Sequence, residues 1–118
     1  MGFKTCYHSC GSTEPIIPDL IEMGLDVLDP LQPGAAGMQP EPLFAAFGDR
    51  LSFHGGIDEV GLLPHASADE VYQETTRVID ILGRNGRYIV SASHAVQGDT
   101  PVANVLAMFD AARDYCWS

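Results

Sequence analysis

The chain is short of positive charge. Six lysines and arginines stand against 16 acids in 118 residues, a formal net charge of −10. Nucleic-acid binding rests on Lys and Arg neutralising phosphates, so this balance argues against a nucleic-acid partner. It weighs in the same way against an anionic lipid surface, and the acidity reads as solubility. No apolar run comes near the ~20 residues of a membrane span, so no membrane partner is expected. No signal peptide is expected, because Phe3 already reads as a strand residue. Three cysteines are an odd number for a disulfide framework, and their spacing is not that of a secreted mini-protein. A reducing cytoplasm is the expected setting. No GxGxxG follows any candidate strand, which leaves a dinucleotide fold with little support.

What the chain does have is an apolar fraction of 46 %, which separates it from disordered compositions and gives one core. A short apolar run recurs four times: FKTCYH (3–8), VLDPL (27–31), LSFHG (51–55) and RYIVSA (87–92). A helical stretch follows each. Pro15 to Met23 opens with a proline suited to a first helical turn and stops at Gly24. Gln39 to Phe47 is short and stops at Gly48. Ser67 to Leu82 starts with a Ser67/Glu70 capping box, then Val71, Thr75, Val78, Ile79 and Leu82 at helical spacing. Pro101 to Tyr115 is expected to bury Val102, Val105, Leu106 and Phe109 on one stripe. Cys116 and Trp117 read as packing or tail residues.

Four β-α units in series predict an α/β fold with parallel strands. A (β/α)8 barrel takes about 250 residues, so residues 1–118 read as one partial domain, the four units of half a TIM barrel. Two sheet edges are then left open, and soluble proteins avoid open edges. The expectation is a homodimer or pairing with another half barrel.

Reactive side chains gather just after each strand, at the end where a β/α barrel builds its active site. His8, Cys10 and Glu14 follow the first strand, Asp29 and Gln32 the second, His54 and Asp58 the third, and Ser91, Ser93, His94 and Gln97 the fourth. Cys6, His8 and Cys10 alternate and therefore share one face. Two residues of strand span ~6.6 Å and four span ~13 Å, so His8 and Cys10 can share a metal while Cys6 cannot join them. Cys6 is expected to be a small buried apolar residue. A zinc site needs a third ligand, for which His94 is the first candidate, ahead of Glu14 and Asp58. His54 precedes Gly55-Gly56 and reads equally well as a pocket wall or as a hydrogen-bonded structural histidine. The Gly34-Ala35-Ala36-Gly37 stretch reads as a loop near the rim.

The segments YHSCGS, PDLIEMGLDVLDPLQPGAAGM, FGDRLSFHGGID, LPHASADEV and SASHAVQGDTPVANVLAMFDAAR, in that order, resemble the C-terminal half of the uroporphyrinogen decarboxylase superfamily. The resemblance implies a (β/α)8 barrel. It also implies one of two chemistries acting on a small-molecule substrate. Zinc-dependent methyltransferases of the superfamily carry a His-x-Cys pair matched here by His8 and Cys10, and move methyl groups between corrinoid proteins and thiols. In that reading His8, Cys10 and His94 would hold zinc, and a corrinoid protein is the partner. Asp58 or Glu14 would orient a ligand histidine, and Gln32 and Gln97 would hydrogen-bond the substrate. The methyltransferases' usual third ligand is a cysteine in the last β-α region, which here reads YIVSASHAV and has none. The tetrapyrrole decarboxylases instead carry a histidine after the last strand, which His94 is similar to, and use no metal or cofactor. Their eight-carboxylate substrate needs a basic clamp, whereas Lys4, Arg50, Arg77, Arg84, Arg87 and Arg113 all precede strands or lie in helices.

Overall fold

A computed structural model describes residues 2–116; Trp117 lies outside them. Four strands, β1 (Cys6–His8), β2 (Val27–Leu31), β3 (Ser52–Ile57) and β4 (Tyr88–Ala92), alternate with helices α1 (Ile17–Glu22), α2 (Pro40–Phe47), α3 (Ala68–Leu82) and α4 (Val102–Asp114). The sheet order is β1-β2-β3-β4 and every pairing is parallel. Sequential parallel neighbours with a helix in each crossover are the repeating unit of a β/α barrel.

The helices all pack on one face. Leu28 and Phe53 from the strands join Ile17 of α1, Leu43 and Phe47 of α2, Val71 and Val78 of α3, and Ala107 and Met108 of α4 in one buried cluster. Side chains alternate along a strand, and paired residues of parallel strands share a face. The opposite face therefore carries Cys6 and His8, Val27 and Asp29, Ser52 and His54, then Ile89 and Ser91. Its residues are half-buried or exposed, with Ile89 half exposed. A doubly wound fold would cover both faces with helices. Here one face stays open, as the inner face of a barrel segment must.

Local chemistry explains the element ends. The Ser67 hydroxyl caps α3, accepting from the Glu70 amide at 3.2 Å and lying 3.2 Å from its carboxylate. The stretch from Pro15 divides into a 3-10 turn (Glu14–Ile16) and then α1, because Pro18 opens a second helix start. Strand β3 runs on to Ile57, past the two glycines. Gly56 has φ +87°, and a Cβ there would meet Tyr88 Oη at 3.0 Å and Val78 Cγ1 at 3.2 Å, so only glycine fits between sheet and α3.

Three expectations need correction. Strand β1 begins at Cys6 rather than Phe3, since only Cys6, Tyr7 and His8 pair with β2. Cys6 is exposed, not buried, because β1 is an edge strand and the open face has nothing packed on it. Helix α4 buries Asn104, Ala107, Met108 and Ala111 instead of the larger residues. Val102, Leu106 and Phe109 are 73 %, 56 % and 60 % exposed. The small residues let α4 approach α3 closely, and Asn104 donates to the carbonyls of Leu63 and Ala66, both at 2.8 Å.

No helix among the described residues is long and apolar enough to cross a membrane.

Candidate functional site

The strand register assembles the site. His8 pairs with Asp29 across β1 and β2, and Leu28 pairs with Phe53 across β2 and β3. His54 pairs with Ile89 across β3 and β4. His8, Asp29 and His54 therefore form one row on the open face, with His8 at the end of β1 but Asp29 and His54 within β2 and β3 rather than after them as expected.

Asp29 sits between the two histidines. Its Oδ2 is 3.3 Å from His8 Nδ1, and its Oδ1 is 2.9 Å from His54 Nδ1. The second contact is close but not aligned as a hydrogen bond, and His54 Nδ1 is buried with no other partner. When Nδ1 carries the proton toward Asp29, the His8 Nε2 lone pair is free. That atom lies 3.7 Å from Cys10 Sγ. A tetrahedral zinc with a ~2.0 Å bond to nitrogen and a ~2.3 Å bond to sulfur holds those donors about 3.5 Å apart. The two side chains fit a shared metal in both separation and donor type.

Other predicted residues fall into supporting positions. Gln32 Oε1 accepts the Gly11 amide at 2.8 Å, which ties the loop carrying Cys10 to the end of β2. Asp58 Oδ1 accepts the amides of Val60 and Gly61 at 3.0 and 3.1 Å, closing the turn after β3. Gln32 and Asp58 also line a cleft of about 300 Å³ beside Gly11 and Gly34. Glu14 packs against the backbone at Gly37. His94 and Gln97 lie exposed in the loop after β4, Gln97 donating to the Ala95 carbonyl at 3.0 Å. Ser93, beside His94, is buried: its amide donates to the Ile57 carbonyl at 2.8 Å and its hydroxyl accepts the Glu59 amide at 3.3 Å.

The structure thus brings together His8, Cys10, Asp29 and His54, and leaves His94 three strands away from the pair on β1. Among the described residues no group of three or more His, Cys, Asp and Glu is arranged to hold a metal. The carboxylate in contact with His8 and His54 is Asp29, whereas Asp58 is held by backbone amides and Glu14 lies against Gly37. The Cys6 thiol is raised above its ordinary value, first by desolvation and second by the negative charge of Asp29. A larger cavity, about 530 Å³, lies between the ends of α2 and α3 where the chain enters β3 and β4. It is far from the rim and holds no nucleophile or histidine.

The arginines are engaged elsewhere. Arg77 binds Glu74 at 2.7 Å and also pairs with Glu41. Arg87 donates to the Gly48 carbonyl at 2.7 Å, and Arg113 pairs with Asp110 and Asp114 at 3.0 Å. Arg50 and Arg84 lie over the rings of Phe47 and Phe44.

Parallel β-α units with one open face and a histidine-carboxylate row across it define a segment of a β/α-barrel fold. The family follows from comparison with known proteins: the model for uroporphyrinogen decarboxylase (URO-D) matches residues 2–115. The chain belongs to the uroporphyrinogen decarboxylase family. No individual curated protein matches it.

Proposed function

We propose that this chain carries the zinc-binding part of a methyltransferase-like site, in which His8 and Cys10 hold the metal. The observation that carries the reading is the 3.7 Å separation of His8 Nε2 and Cys10 Sγ, with the other nitrogen of His8 turned to Asp29. A zinc ion held there would lower the pKa of a thiol bound to it, so that thiolate is present at neutral pH. The reaction class is transfer of a methyl group to that thiol, with a corrinoid on a partner protein as the carrier.

The chain's own residues supply the rest. Asp29 fixes the His8 ring, Gln32 fixes the loop behind Cys10, and the cleft beside Gln32 and Asp58 receives the substrate. With only two protein donors in reach among the described residues, the coordination is completed by the substrate thiol or by a group from across the free edge of β1. A second set of four β-α units would close that edge, either a second copy or another half barrel. The engagement of all five arginines with acids, a carbonyl or aromatic rings speaks against an eight-carboxylate tetrapyrrole here.

Equilibrium zinc titration tests the reading. One zinc per chain is the expected result, abolished by His8→Ala or Cys10→Ala and retained by Cys6→Ala. Carbon dioxide release from uroporphyrinogen by a preparation that binds no zinc would establish the decarboxylase reading, in which His94 contacts the tetrapyrrole. Neither zinc binding nor decarboxylation would identify a catalytically incomplete segment.

A further inference from the structure

We propose that Asp29 is a positioning residue that orients His8 and His54 with one carboxylate, so that the metal pair and the third-strand histidine are set together. The zinc part of this inference rests on the reading of His8 and Cys10 given above.

Three observations carry it. The first is register: His8 is the direct cross-strand partner of Asp29, and the residue after Phe53 brings His54 up on its other side. The second is the division of the carboxylate. Oδ2 is within hydrogen-bond geometry of His8 Nδ1 at 3.3 Å, while Oδ1 lies 2.9 Å from His54 Nδ1 as a charge contact without hydrogen-bond alignment, so neither oxygen serves both rings. The third is the lack of competitors. No arginine or lysine among the described residues pairs with Asp29, and His54 Nδ1 is buried with no hydrogen-bond partner of its own.

A histidine with a carboxylate at Nδ1 keeps its proton there and presents Nε2 as a lone pair. For His8 that lone pair is the atom beside Cys10. For His54 the same tautomer turns an acceptor nitrogen away from Asp29. An amide in place of the carboxylate cannot do this for both rings, because it offers one acceptor and one donor. Asp29→Asn therefore leaves one histidine oriented and forces the other toward the opposite tautomer. Asp29→Ala releases both.

The test combines zinc affinity with the histidine tautomers read by long-range proton–nitrogen NMR on the metal-free protein. In the unsubstituted chain His8 and His54 are both expected with the proton on Nδ1. In Asp29→Ala both should become mixtures, and in Asp29→Asn one of them should shift to the proton on Nε2. Zinc affinity should fall 10- to 100-fold in Asp29→Ala, the effect of removing a group that orients a ligand histidine, and in Asp29→Asn only if His8 is the ring that changes tautomer. Glu22→Asn removes a charge at the exposed end of α1 and should leave affinity within about twofold. Circular dichroism of the near-isosteric Asp29→Asn separates loss of orientation from loss of fold. Unchanged tautomers in a folded Asp29→Ala would overturn the proposal. So would unchanged zinc affinity. If the unsubstituted chain binds no zinc, the function proposed above fails, while the tautomers still decide the role of Asp29.

Discussion

Gln32 Oε1 accepts the backbone amide of Gly11 at 2.8 Å, joining the end of β2 to the residue next to Cys10. Gly11 has φ +85°, so the chain reverses there in a conformation suited to glycine. The side chain of one strand end thus fixes the loop of its neighbour. Gln32→Ala should release the Gly11 amide at a cost of about 1 kcal/mol of stability. Hydrogen exchange at Gly11 should speed up while exchange within α3 is unchanged. Equal protection before and after the substitution would show that the bond does not hold the loop.

Asn104 gives a larger effect. Its amide nitrogen serves two carbonyls of the loop between β3 and α3, and the residue is buried. Alanine would leave both carbonyls without their partner, at roughly 1–3 kcal/mol for each unsatisfied group. Asn104→Ala is expected to destabilise the chain by about 2 kcal/mol or more, read as a lower urea midpoint at unchanged slope. A substitution at the exposed Val102 to alanine should change the midpoint little.

The thiol of Cys6 supplies a pH test. Desolvation and then the charge of Asp29 raise its pKa above the ordinary thiol value. A raised pKa means less thiolate at any given pH, so alkylation of Cys6 should be slow near pH 8 and rise only as the pH passes the shifted value. Asp29→Asn removes the second cause and should move the profile to lower pH without restoring it fully. Labelling followed by mass spectrometry of the Cys6 peptide, in a Cys10→Ser, Cys116→Ser background, measures it. A profile at or below that of a free thiol would contradict the assignment.

The two free edges make a further prediction. Among the described residues strand β1 pairs only with β2 and β4 only with β3, while Phe3 and Met23 lie exposed at one flank and Val102, Leu106 and Phe109 at the other. Unpaired edges and apolar flanks favour association. Sedimentation should show a mass above the monomer at micromolar concentration, and Leu106→Glu with Phe109→Glu should lower it. A monomer with full helix content would contradict this.

Much of the fold is legible in the sequence because the apolar spacing changes period from two to 3.6 four times over. The cap at Ser67 is a local signal, and its bond from the Glu70 amide to the Ser67 hydroxyl forms as read, while the Glu70 carboxylate meets that hydroxyl. The closeness of His8 and Cys10 is legible from their spacing, but not by strand alternation as expected, because β1 ends at His8 and Cys10 lies in the loop after it. Asp29 is a different case. Its role depends on the register of β1 against β2 and of β2 against β3, which is fixed by packing between segments 20 or more residues apart and leaves no local trace. Helix α4 misleads for a related reason. Its larger apolar residues form the more obvious stripe, but close approach to α3 selects the face with Ala107 and Ala111, where Asn104 finds its two carbonyls. Hydropathy alone ranks that face second.

The central claim is that His8 and Cys10 bind one metal ion together. Cobalt(II) substituted for zinc reports it directly, because a cysteine thiolate bound to cobalt gives a charge-transfer band in the near ultraviolet. The account predicts that band in the unsubstituted chain at one cobalt per chain, absent in Cys10→Ser, strongly weakened in His8→Ala, and unchanged in Cys6→Ser. A band that survives in Cys10→Ser, or that disappears in Cys6→Ser instead, would contradict it.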